Sequence, residues 1–134
     1  MAAIPLPKAP RPIEGRSIVL KYKASSLNIK AGRTVMIVEG NRAVDVADHS
    51  AVGEVVGIAL QTPTYVGQDI DVCVFGELQG CAELTAPLGL FAFTAGDLAP
   101  YDDVATGKFA HQVATVTGPD TIFVRVQTSA TAKA

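Results

Sequence analysis

The chain of 134 residues is long enough for one domain with its own core, because a chain of this size buries about two thirds of its unfolded surface. With 49% hydrophobic and 18% charged residues it falls outside the disordered class, and no apolar run approaches the ~18 residues of a membrane span. The net charge of −2 conceals a split: residues 1–42 hold eight basic and two acidic residues (+6), and the remainder three and eleven (−8).

Residues 1–16 come first in chain order. "AAIPLPKAPRPIE" carries Pro5, Pro7, Pro10 and Pro12, half of the eight prolines in the chain. Proline fixes φ near −65° and favours an extended polyproline conformation, so this stretch is expected to be an arm preceding the domain. Met1 to Pro12 would reach about 37 Å at ~3.1 Å per residue, enough to lie on another subunit. Ile4, Leu6 and Ile13 are its apolar anchors, and Lys8, Arg11 and Arg16 its charges. Prolines occupy the place of a signal-peptide core, so synthesis in a cytoplasm is expected.

From Ser17 to Gln127 the patterns are all β. "SIVLKYKA" alternates with a period of two, placing Ile18, Leu20 and Tyr22 on one face and Val19, Lys21 and Lys23 on the other. "TVMIVEGNRAVDVA" reads as a hairpin around Gly40-Asn41. "EVVGIAL" is a strand with Gly57 at a bulge or close approach. "DIDVCVFG" alternates again, and "ELQGCAEL" is expected to return beside it through a turn at Gly76-Glu77. Between Thr85 and Ala110 the turn residues Pro87, Gly89, Gly96, Pro100 and Gly107 predict short strands. "HQVATVTGPDTIFVRVQ" closes the domain with Ile122, Val124 and Val126 opposite Phe123 and Arg125. A short helical turn is expected near Asp48 to Val52, and the tail, residues 128–134, is expected to be loose. Many short strands at this spacing predict an all-β fold, a small barrel of antiparallel strands. Trp is absent, so the core falls to Val, Ile, Leu and Ala.

Chemistry-bearing residues are sparse. His49 has Asp45, Asp48 and Glu54 nearby, but the spacing fits no ligand motif, and a solvated loop is expected. Cys73 and Cys81 would face each other across the expected hairpin; two buried thiols are favoured over a disulfide, given a reducing compartment. Asp69 with Asp71, and Asp102 with Asp103, are carboxylate pairs without a cleft around them. No nucleophile elbow or phosphate-binding loop is present, and the basic segment lacks the aromatics of a nucleic-acid site. The expectation is a protein that is not an enzyme, with no catalytic residue, cofactor or metal, and with neither nucleic acid nor membrane as partner. The charge split suggests contact between unlike surfaces, or basic first strands facing acidic neighbours within the chain.

The stretch "KAGRTVMIVEGNRAVDVADHSAVGEVVGIALQTPTYVGQDIDVCVFGELQG", followed by "AGDLAPYDDVATGKF" and "TIFVRV", resembles the capsid decoration, or head cement, proteins of tailed phages. The likeness covers roughly Ile29 to Gln127 and rests on the order of the pieces. It implies a small β-barrel or β-tulip domain without catalysis, residing on the outer capsid surface of a virion as a homotrimer that clamps neighbouring major capsid proteins. It would make Ile4, Pro5, Leu6, Pro7, Lys8, Pro10, Arg11, Pro12 and Ile13 the capsid-binding arm. The apolar residues Leu88, Leu90, Phe91 and Phe93 would then be oligomer contacts. The alternative is a small β-barrel ligand-binding or carrier domain. A lipoyl or biotinyl carrier would place a lysine at a hairpin tip, where the turn expected at Gly76-Glu77 offers glutamate.

Overall fold

In a computed structural model the structure describes residues 10–39, 43–48, 54–79, 88–92, 96–99, 101, 104, 106–117, 121–127 and 133. Nine strands follow in chain order: β1 (Arg11–Ala24), β2 (Thr34–Glu39), β3 (Ala43–Val46), β4 (Val55–Ala59), β5 (Asp69–Gln79), β6 (Leu88–Ala92), β7 (Leu98–Ala99), β8 (Gln112–Val116) and β9 (Ile122–Gln127). The all-β expectation holds, and the described residues contain no α-helix. The order β1-β3-β2-β4-β5 closes into a five-stranded barrel through pairing of β1 with β5. Beyond it, β9, β8, β6 and β7 continue from the second half of β5.

The β2–β3 hairpin forms as read, with Val35 opposite Val46 and Ile37 opposite Val44. Gly57 marks a bulge as expected: Val35 pairs with Gly57 and Met36 with Val55, so one residue is skipped. The return expected after Glu77 does not occur. β5 runs unbroken from Asp69 to Gln79, taking β4 and then β9 on one side and β1 along the other. Gly76 is a site of close approach, not a turn. It sits at φ +112°, and a Cβ there would overlap the Arg16 carbonyl oxygen and the Ser17 Cα. The register jump between Pro12 and Ser17 of β1 lies against this glycine.

β1 also begins earlier than the expected Ser17. Arg11 pairs with Gln79 and Pro12 with Leu78, and Pro10 is buried. A proline in a strand is tolerated at an edge or beside a bulge, and Pro12 lies next to the register jump.

Two cores explain why several strands lack clean alternation. Inside the barrel, Ala24, Ile29, Val35, Val44, Ala59, Ile70 and Val72 are completely buried. Their chain neighbours Met36, Ile58 and Cys73 point the other way, into a second core with Leu78, Leu90, Leu98, Val113, Ile122 and Val124. Strands covered on both faces read as continuous apolar runs, as "VMIV" and "VVGIA" do. Each fully buried Ile or Leu contributes about 1.5–3 kcal/mol of transfer free energy. Backbone bonds stitch the layers together. Thr34 N–H donates to the Gly96 carbonyl (3.0 Å), Gly96 N–H to Ala47 (2.8 Å) and Ala47 N–H to Thr34 (3.0 Å).

The C-terminal tail is held at Lys133 and is not loose there. The Lys133 N–H donates to the Lys108 carbonyl (2.7 Å), and its carbonyl accepts from Gly107 N–H (2.9 Å). The ammonium donates to the carbonyls of Tyr101 (3.0 Å) and Val104 (2.9 Å) and lies 4.2 Å from the Tyr101 ring centroid.

Candidate functional site

The charge split is met in part within the chain. Across the antiparallel β1–β5 ladder, Lys21 lies opposite Asp71 and Lys23 opposite Asp69, with Nζ to Oδ1 distances of 2.8 and 3.3 Å. Arg16 and Glu77 approach to 3.7 Å. Asp69 and Asp71, two positions apart on one face, are thus balanced by two lysines spaced the same way. The Lys21–Asp71 contact holds the Lys21 ammonium above its ordinary pKa, first through the hydrogen bond and then through the charge of Asp71.

Of the arm, Ile4, Pro5, Leu6, Pro7 and Lys8 lie outside the described residues. Pro10, Arg11, Pro12 and Ile13 are described, and the last three belong to β1. The expected oligomer contacts separate. Leu88 opens β6, and Phe93 lies outside the described residues. Leu90 is buried in the second core, so it is not a surface contact. Phe91 is half-buried, its ring edge-on to Tyr101 with centroids 5.4 Å apart. Large apolar side chains do reach solvent elsewhere: Ile18 and Leu20 on β1, Phe75 on β5, and Leu27, Tyr65 and Val66 on two loops at one end of the barrel. Those loops are braced to each other by Gly67 N–H to the Ala24 carbonyl (2.8 Å) and Ala31 N–H to Thr62 Oγ1 (3.0 Å).

Cys73 is a buried free thiol whose pKa burial pushes up to about 11, against a smaller opposing effect of its contact with the Phe75 carbonyl. Cys81 and His49 lie outside the described residues. His111 is fully buried, its ring stacked on Phe109 with centroids 6.0 Å apart. Among the described residues no three His, Cys, Asp or Glu side chains gather as metal ligands, and no helix is long and apolar enough to cross a membrane.

One concavity stands out, and the sequence reading missed it. The outer face of β8 and β9 forms a shallow site of about 360 Å³, lined by Gln112, Thr115, Thr117, Phe123, Arg125 and Gln127. Register brings them together: Gln112 lies opposite Gln127 and Thr115 opposite Phe123, while Arg125 lies opposite Phe75 of β5. Phe75 meets Phe123 at nearly right angles with centroids 5.2 Å apart, which supports the Phe123 ring in the lining of the site. The alternation of Phe123 and Arg125 against Ile122 and Val124 was readable in β9 alone; the contribution of β8 was not.

The sequence matches no protein-family model, and no curated protein matches it at a significant level.

Proposed function

We propose that this chain is a non-enzymatic virion structural protein that binds the outer surface of a phage capsid and cements neighbouring major capsid subunits. The observation that carries the reading is the anchoring of β1 at Arg11 and Pro12 against the end of β5. The proline-rich segment before it departs from a fixed point on a closed barrel, so an extended arm would be aimed and not merely tethered. The resemblance of residues 29–127 to decoration proteins supplies the partner, the major capsid protein, and assembly as a homotrimer. Ile18 and Leu20 are better placed for self-association than Leu90, because they are exposed large apolar residues on one strand.

The ligand-binding alternative loses its simplest form, a ligand inside the barrel, because the interior is filled by Val35, Val44, Ala59, Ile70 and Val72. No hairpin tip lies at Gly76-Glu77 to speak against a carrier, since β5 passes straight through.

The test is co-sedimentation with undecorated capsids, comparing the full chain with a variant lacking residues 1–9. A major capsid protein gene beside this one identifies the shell to use. Loss of binding by the truncated protein, with its melting transition retained, supports the reading. A full chain that never sediments with that shell removes it.

A further inference from the structure

The concavity on β8 and β9 has the composition of a ligand site, and nothing in the capsid reading uses it. Among the described residues Arg125 makes no ion pair, and the side chains of Gln112, Thr115 and Gln127 make no hydrogen bond. Four polar groups without a partner among the described residues therefore line one concavity with an aromatic ring held by Phe75. The volume, about 360 Å³, lies at the small end of the range that holds small ligands.

The fold limits what can bind there. β8 lies between β6 and β9, and β9 from Ile122 to Arg125 lies between β5 and β8, so both strands are paired on both sides there. An extended peptide gains affinity by adding to a free strand edge, and this face has none to offer. Recognition must come from side chains alone. Primary amides and a threonine hydroxyl both donate and accept, which matches ligand hydroxyls that do the same. A phenyl ring complements a patch of C–H groups. The Arg125 guanidinium, exposed and without an ion pair among the described residues, matches a carboxylate through its planar fork. One cation suits a single carboxylate better than a phosphate dianion. The −8 balance of residues 43–134 further opposes ligands of high negative charge density such as nucleic acid.

From this arrangement we infer that the β8–β9 face binds an acidic sugar, with Arg125 on the carboxylate, Gln112, Gln127 and Thr115 on hydroxyls, and Phe123 under the ring. The site is independent of the capsid reading and stands or falls separately from it.

The test is titration of the full chain with a short galacturonic acid oligomer at physiological salt, followed by amide chemical shifts. The expected result is saturable binding whose shifts centre on β8 and β9. Methyl esterification of the oligomer should weaken it roughly tenfold, the scale of one lost charge-assisted contact. Arg125→Gln should weaken it to the same extent and abolish the difference between acid and ester. Because Arg125 is exposed, its variant should keep the melting transition of the parent. Phe123→Leu is the second variant, and should reduce binding of acid and ester alike. Absence of binding at millimolar oligomer would overturn the inference. So would equal binding of acid and ester by the parent, or a glutamate oligomer of the same charge binding as well as the sugar.

Discussion

Lys21 and Asp71 face each other across the β1–β5 ladder with Nζ 2.8 Å from Oδ1, and they join the first strand of the barrel to the strand shared by both cores. The ammonium is held above its ordinary value of 10.5, chiefly by that hydrogen bond. A raised pKa on a basic group gives stability that is fully present below its unfolded value and is lost as pH rises through the folded one. Lys21→Met should therefore lower the melting temperature slightly at pH 7, and the deficit should shrink in added salt and vanish at strongly alkaline pH. Melts of parent and variant at two salt concentrations and across pH 7–12 check this. A deficit that survives above that range would assign the effect to packing of the lysine stem.

Glycine substitutions separate close approach from turn geometry. Gly76→Ala should destabilise by roughly 3 kcal/mol, because φ is +112° and the new Cβ would collide with the backbone of Arg16 and Ser17. Gly67→Ala, at φ +91° with nothing within 4 Å of the new atom, should cost only about 1–2 kcal/mol, from backbone conformation alone. Denaturant midpoints of the two variants give the comparison. Equal losses would mean that the β1–β5 approach is looser than the backbone positions indicate.

The buried thiol makes a prediction in both reactivity and pH. On a Cys81→Ser background, Cys73 should resist thiol reagents at pH 8 in the folded state and react promptly in denaturant. Its pKa near 11, against 9.0 without the protein environment, means that the unfolded chain releases its proton first. Stability should consequently fall as pH rises from about 9 toward 11, and Cys73→Ala should remove that part of the slope while costing about 1–2 kcal/mol at neutral pH. Fast labelling of the native protein would contradict the burial.

At Lys133 the side chain and backbone together close the loop containing Tyr101, Val104 and Gly107. Lys133→Ala keeps the backbone bonds and removes the ammonium, so it should cost about 1 kcal/mol, the scale of a charge-assisted bond with a ring contact. Hydrogen exchange at the Gly107 amide, whose acceptor is the Lys133 carbonyl, should accelerate. Unchanged exchange there would show that the ammonium does not secure the tail.

Truncation length should matter at the N-terminus. Removing residues 1–9 leaves buried Pro10 and the whole of β1 in place, and stability should change by less than about 1 kcal/mol. Removing residues 1–14 also removes buried Pro10 and the pairs Arg11–Gln79 and Pro12–Leu78, and the loss should be clearly larger. Thermal melts of the two truncated proteins decide whether the domain begins at Arg11 or at the Ser17 of the sequence reading.

Local patterns were legible where partners are close in sequence. The β2–β3 hairpin and the β8–β9 pair follow from alternation flanking turn residues, and Gly57 stood out because a glycine inside "VVGIA" needs a reason. Gly76 was misread because Gly-Glu looks like a turn, while its actual cause, β1 lying against it, comes from a segment some sixty residues earlier. Leu90 was misplaced for a related reason: a short apolar run does not say whether its cover is the same chain or another. The site around Phe123 was invisible because it depends on the register of two strands and on Phe75 of a third.

The pairing of β1 with β5 also decides how the domain bears a load. The two strands are antiparallel, paired at Arg11–Gln79 and Pro12–Leu78 and, beyond the register jump, from Ser17–Gly76 to Lys23–Asp69. A pull on the chain end at Arg11, directed along β1 away from the barrel, would strain the ladder bonds together as a shear joint instead of opening them singly like a zipper. The joint bears on β5, which is fixed on its other side by β4 and β9, so the force spreads into both cores at once. A domain tethered through its first strand in this way would yield only at high tension and in one event. The same domain pulled at right angles to β1 would give way at low tension.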